Sequence, residues 1–95
     1  MNRSVDVSIE WDTKKIASVP QNGIYSTVAK FDEDVDWQNE AWSILLRFDP
    51  PKSGSITSKG RAEFLMLNGP YERLKKGCTF EMYEGRNRSA IVTVL

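Results

Sequence analysis

The sequence predicts an all-β domain of six short strands, closed as a small barrel or stacked as a sandwich. Three observations carry this. Apolar and polar residues alternate in short runs that recur along the chain, the period of a half-buried strand. Turn chemistry separates the runs, at Asn22-Gly23, Ser53-Gly54, Lys59-Gly60, Asn68-Gly69-Pro70, Lys76-Gly77 and Glu84-Gly85. No window of helical length holds a convincing apolar stripe. A chain of 95 residues is too short to cover open sheet edges with helices, so closure is the economical way to remove them.

The elements follow in order. Val5, Val7, Ile9 and Trp11 alternate with Asp6, Ser8 and Glu10 and predict the first strand. Ile24 to Phe31 is β-branched and aromatic, which suits a pleated, half-buried surface. Ala41 to Phe48 is a denser apolar run that Pro50 and Pro51 close after eight residues, a strand's length. Arg61 to Leu67, Cys78 to Tyr83 and Ser89 to Leu95 supply the remaining three. In the fifth, Cys78, Phe80 and Met82 share one face, and Thr79, Glu81 and Tyr83 the other. There is no internal repeat, and residues 1–95 read as one domain.

Composition narrows the function classes. A hydrophobic fraction of 40% excludes a disordered chain. Thirteen basic and thirteen acidic side chains cancel, which disfavours a protein that grips nucleic acid through its backbone. Histidine is absent, so the commonest acid–base catalyst and metal ligand are missing. Cys78 is the only cysteine: it can form neither an intrachain disulfide nor a thiolate cluster, and it has no imidazole to activate it. The N-terminal residues carry no apolar signal-peptide run, and a cytoplasmic setting is expected. No phosphate loop, nucleophile elbow or metal signature appears, so no catalytic residue, metal or other cofactor is expected.

The charge is unevenly spread. Residues 1–40 carry four basic and eight acidic side chains, and residues 41–95 nine basic and five acidic. If the barrel keeps those regions apart, the molecule is a dipole with two candidate faces.

The segment Leu74-Lys75-Lys76-Gly77-Cys78-Thr79-Phe80-Glu81-Met82-Tyr83-Glu84-Gly85, followed by Ala90-Ile91-Val92-Thr93-Val94-Leu95, resembles the end of the C-terminal β-barrel of translation elongation factor Tu. That family closes with a Gly-x-x-Phe-x-hydrophobic-x-Glu-Gly hairpin and a Val-rich final strand. The resemblance implies a six-stranded antiparallel Greek-key barrel standing without the GTPase domain. The family's Gly-Gly-Arg connection and Tyr-Arg-Pro strand opening, which help face transfer RNA, are replaced by residues 16–23 and by Ile24-Tyr25-Ser26-Thr27. The implied likeness is thus one of scaffold.

Two sets of side chains are candidate sites. The acidic stretch Asp32, Glu33, Asp34, Asp36 and Glu40, with Trp37 and Trp42 as aromatic anchors, suits docking of a basic protein partner. Its like charges repel, so folding alone does not favour them, although a solvated loop has the same appearance. Its Asp-x-Asp spacing lacks the glycine and final glutamate of a calcium loop. The basic set Arg73, Lys75, Lys76, Arg86 and Arg88 suits an anion or RNA contact if it gathers at one barrel end, with Tyr71 or Tyr83 for stacking. Paired with Glu72 and Glu84, it reads instead as solubilising charge. The expected function is a non-catalytic protein-binding module, with an inhibitor of a basic toxin and an RNA-contacting protein as alternatives.

Overall fold

Alternation along Val5–Trp11 becomes strand β1, with Val7, Ile9 and Trp11 fully buried and Asp6 and Glu10 exposed. The computed structural model describes residues 3–37 and 41–95. The other strands are β2 (Ile24–Lys30), β3 (Trp42–Phe48), β4 (Thr57–Phe64), β5 (Thr79–Glu84) and β6 (Asn87–Val94). Short 3-10 turns at Ile16–Ser18 and Tyr71–Arg73 are the helical pieces in their connections that have assigned bounds.

All pairings are antiparallel, and the circuit β1-β4-β3-β2-β5-β6 closes on itself. Strands β2, β3 and β4 form a meander, and β5 crosses back to lie beside β2, which is a Greek key. Closure pairs every strand on both sides and leaves no edge to template aggregation.

The registers fix two ends. The upper end, where β1 finishes, carries connections 12–23, 49–56 and 85–86. The lower end, where β1 begins, carries 31–41 and 65–78. Aromatic rings plug each end of the core. Above, the Trp11 ring lies 5.4 Å from Tyr25 and 5.0 Å from Phe48, and its Nε1 donates to Ser58 Oγ at 3.0 Å. Below, Phe31 stacks on Phe80 at 4.7 Å, and Phe64 meets Phe31, Trp42 and Tyr71.

One strand departs from the sequence expectation. The fourth runs Thr57–Phe64 rather than Arg61–Leu67. Lys59-Gly60, expected as a turn, lies inside it. Gly60 is there for close approach: a Cβ would stand 2.2 Å from the Arg47 carbonyl oxygen and 2.8 Å from Phe48 Cα. Leu65, Met66 and Leu67 fall beyond the strand and are exposed. By contrast, Gly23, Gly77 and Gly85 adopt the positive φ expected of their turns.

The β2–β5 seam is the shortest in the circuit. Its ladder covers only Val28–Lys30 against Glu81–Tyr83. Above it side chains take over, with Thr27 Oγ1 donating to the Tyr83 carbonyl at 2.6 Å.

Candidate functional site

The acidic connection leaves β2 through Phe31 in a tight turn, with the Asp34 amide donating to the Phe31 carbonyl. Asp34 is not a surface carboxylate. Its side chain is only 4% exposed and pairs with Arg73 Nη1 at 2.9 Å, while its other oxygen accepts the Phe31 amide at 2.9 Å. The Arg73 guanidinium also lies 5.6 Å from the centroid of the Phe31 ring. Asp34 and Arg73, expected on two opposing patches, therefore form one internal clip between connections 31–41 and 65–78.

Asp32 and Glu33 sit exposed at the tip of the turn, with no cation in ion-pair range among the described residues. Their charges reach Cys78, whose thiol is pushed up first by burial and then by Glu33 and Asp32. A raised thiol pKa means less thiolate and an inert cysteine. Val35 is 98% exposed, and Asp36 is exposed as well. Trp37 is half-buried against the outer wall. Its Nε1 donates to the Ala29 carbonyl at 2.8 Å, and its ring lies 4.7 Å from Tyr83. It straps the connection down rather than presenting a free face. Glu40 lies outside the described residues.

The basic set is divided between the two ends. Lys75 and Lys76 precede β5 and are exposed at the lower end, whereas Arg86 and Arg88 follow it at the upper end. Six strand residues span about 20 Å, so the two pairs cannot share a face. Arg88 bonds Glu81 at 3.1 Å and lies 3.6 Å from Asp12. Glu84 pairs with Lys15 instead of with the basic set.

The lower end holds what the sequence reading missed. Leu65, Met66 and Leu67 are 55%, 57% and 88% exposed, an apolar ridge beside the acidic turn. A groove of about 520 Å³ runs along it, lined by Trp42, Ser43, Leu65, Met66 and the Asp34–Arg73 clip. Gly69 lets the connection fold back over the core, since a Cβ there would stand 2.4 Å from the Phe64 ring. The signal was in the sequence. Three consecutive apolar residues cannot all face inward from one strand, and the Asn68-Gly69-Pro70 turn follows them directly.

No protein-family model, curated protein or solved structure matches this chain.

At the upper end, Tyr25, Glu84, Ser89 and Lys15 form a second cluster, brought together from 59 and 64 residues apart. The Tyr25 hydroxyl donates to Glu84 Oε2 at 2.5 Å and lies 2.7 Å from Ser89 Oγ. Lys15 Nζ stands 2.7 Å from the same carboxylate and 4.9 Å from the Tyr25 ring centroid. The Lys15 and Tyr25 hydrogen bonds hold Glu84 below the usual carboxylate range. Burial, followed by Glu84, pushes Tyr25 well above an ordinary phenol. The adjoining cleft of about 200 Å³ is smaller than the roughly 300–1,000 Å³ of most ligand sites, so the cluster reads as a seam fastening. Among the described residues no group of three or more His, Cys, Asp or Glu could hold a metal ion. No described helix is long and apolar enough to cross a membrane.

Proposed function

We propose that this chain is a non-catalytic protein-binding module that engages its partner through the lower barrel end. The observation that carries the reading is the exposed run Leu65-Met66-Leu67, placed at the same end as Asp32, Glu33 and Asp36. Three adjacent exposed apolar side chains have no part in the core, and such patches mark interaction surfaces. Met66 adds an adaptable contact that can repack against a partner. The neighbouring carboxylates supply orientation and faster encounter. The closed barrel is the rigid support, and the two connections give the specificity. The likeness of residues 74–95 to the elongation factor Tu barrel fits such a scaffold, and the lone cysteine fits a reducing, cytoplasmic setting.

The test is capture of a partner from the source cell with three proteins. Wild type is expected to retain it. A Leu65→Ser/Leu67→Ser/Asp32→Lys/Glu33→Lys variant is expected to lose it at unchanged melting temperature. A Lys14→Glu/Lys52→Glu variant, altered only at the upper end, is expected to keep it. Asp34 is left untouched because its reversal would break the internal clip. Equal capture by all three would exclude the lower end as the site.

A further inference from the structure

We propose that the groove at the lower end captures the C-terminus of a partner polypeptide. The free α-carboxylate is taken by Arg73, and a bulky apolar last side chain lies against Trp42, Leu65 and Met66. The inference rests on the docking reading above and names the segment of the partner that this surface takes. Its ground is an unused edge of Arg73. Only Nη1 is committed, to Asp34 at 2.9 Å, and Nε and Nη2 bond nothing among the described residues. The described residues hold no buried, unpartnered side-chain nitrogen, and the Arg73 side chain is 19% exposed. That edge is therefore open to solvent, and the cavity Arg73 lines is the groove. Nε and Nη2 form a side-on fork that donates two parallel hydrogen bonds to one carboxylate. Phe31 against the guanidinium and Asp34 at Nη1 already hold it in place, which lowers the cost of ordering it on binding.

The rest of the lining says what accompanies the carboxylate. Trp42, Leu65 and Met66 share the groove with Arg73, so it fits a group in which an apolar side chain and a carboxylate lie side by side. Adjacent residues of an extended segment point to opposite faces, which separates an internal Asp or Glu from its neighbour's apolar side chain. A terminal residue carries both groups on one Cα. The volume, about 520 Å³, lies within the roughly 300–1,000 Å³ of small-ligand sites and suits the last few residues of a chain. Asp34 shares the guanidinium, so the gain is that of the added hydrogen bonds and not of a lone ion pair.

Heteronuclear NMR titration tests this, with the Trp42 indole and Arg73 Nε–H signals as reporters. The peptide acetyl-Gly-Ser-Ala-Leu with a free C-terminus is expected to shift both signals and to bind about tenfold tighter than its C-terminal amide. Acetyl-Gly-Ser-Ala-Gly, which keeps the carboxylate but not the apolar side chain, should lose about the same factor. The amide of acetyl-Gly-Ala-Glu-Leu, whose carboxylate is internal, should bind no better than the plain amide. Arg73→Lys keeps a charge beside Asp34 but has no fork, and it should erase the difference between acid and amide. Should that variant fail to fold, Leu65→Ser/Met66→Ser, altered only at exposed positions, is expected to weaken binding of the free acid about tenfold. An amide or an internal carboxylate that binds as tightly as the free acid overturns the proposal. So do shifts confined to other faces, no binding at millimolar peptide, or a preference for the acid that survives Arg73→Lys. The docking reading fails separately, through partner capture that ignores the Leu65→Ser/Leu67→Ser/Asp32→Lys/Glu33→Lys variant.

Discussion

Tyr25 places its hydroxyl against the Glu84 carboxylate at 2.5 Å, and the two groups tie stability to pH in opposite directions. Glu84 is held below its usual range. Its contribution is therefore present above about pH 4.3, the unfolded value, and is lost as pH falls through the folded value. Tyr25 is raised; its contribution is full below about pH 10 and disappears as the solution becomes more alkaline. Glu84→Gln should flatten the acid limb of a urea-denaturation series against pH, and Tyr25→Phe the alkaline limb. At neutral pH, Tyr25→Phe should cost about 1–2 kcal/mol, or very roughly 4–8 °C of melting temperature per kcal/mol. Since the Glu84 side chain is 44% exposed, solvent screening limits its ion pair with Lys15 to about 1 kcal/mol or less. The Asp34–Arg73 clip behaves differently because Asp34 is buried. Asp34→Ala strands a guanidinium over Phe31 and should cost about 3 kcal/mol. The double variant Asp34→Ala/Arg73→Met should lose less than the two single losses added together. Thermal unfolding of all three proteins measures that coupling.

Strand β4 shows how a single residue can decide an element. Gly60→Ala would drive a methyl group into the Arg47 carbonyl and the Phe48 backbone. The β3–β4 ladder should part at a cost of about 3 kcal/mol or more. Gly54→Ala meets nothing within 4 Å and carries only the strain of its φ of 84°, about 1 kcal/mol. Chemical denaturation of the two variants separates close approach from turn strain. The same glycine explains what was legible in the sequence. Strand β1 and the β5–β6 hairpin were readable because their alternation is local and their turn glycines take the positive φ that glycine permits. Gly60 resembled a turn because a sequence does not say whether a glycine serves its own backbone or a neighbouring strand's. That misplacement moved Leu65–Leu67 from the surface into a strand and hid the ridge. The acidic run was visible as charge, but its division into the clipped Asp34 and the free tip of Asp32 and Glu33 depends on Arg73, 39 residues away. Trp37 was visible as an anchor, but it fastens its own connection. Trp37→Phe removes the bond to the Ala29 carbonyl and should raise hydrogen exchange along residues 30–36 without unfolding the barrel.

At the scale of the molecule, the barrel redistributes its charge. The sequence halves predict one acidic and one basic face, whereas the lower end holds both signs and pairs some of them internally. The upper end collects Lys14, Lys52 and Arg86, exposed and without ion-pair partners among the described residues. Strand neighbours are far apart in sequence, as in β1 with β4 and β6. Folding should therefore be slow for so small a chain, in milliseconds to seconds, as read by stopped-flow tryptophan fluorescence. The circuit around the barrel is also uneven, because β2 meets β5 over three residue pairs and is finished by Thr27, Tyr25 and Glu84. In mechanical terms the molecule is a hoop with a clasp. Five of its joins are stitched along most of their length, and the sixth is stitched over three pairs and finished by Thr27 and by the titrating pair Tyr25 and Glu84. Stretched or acidified, the hoop should unclasp there first and lie open as a curled ribbon, with β2 and β5 as its two free borders.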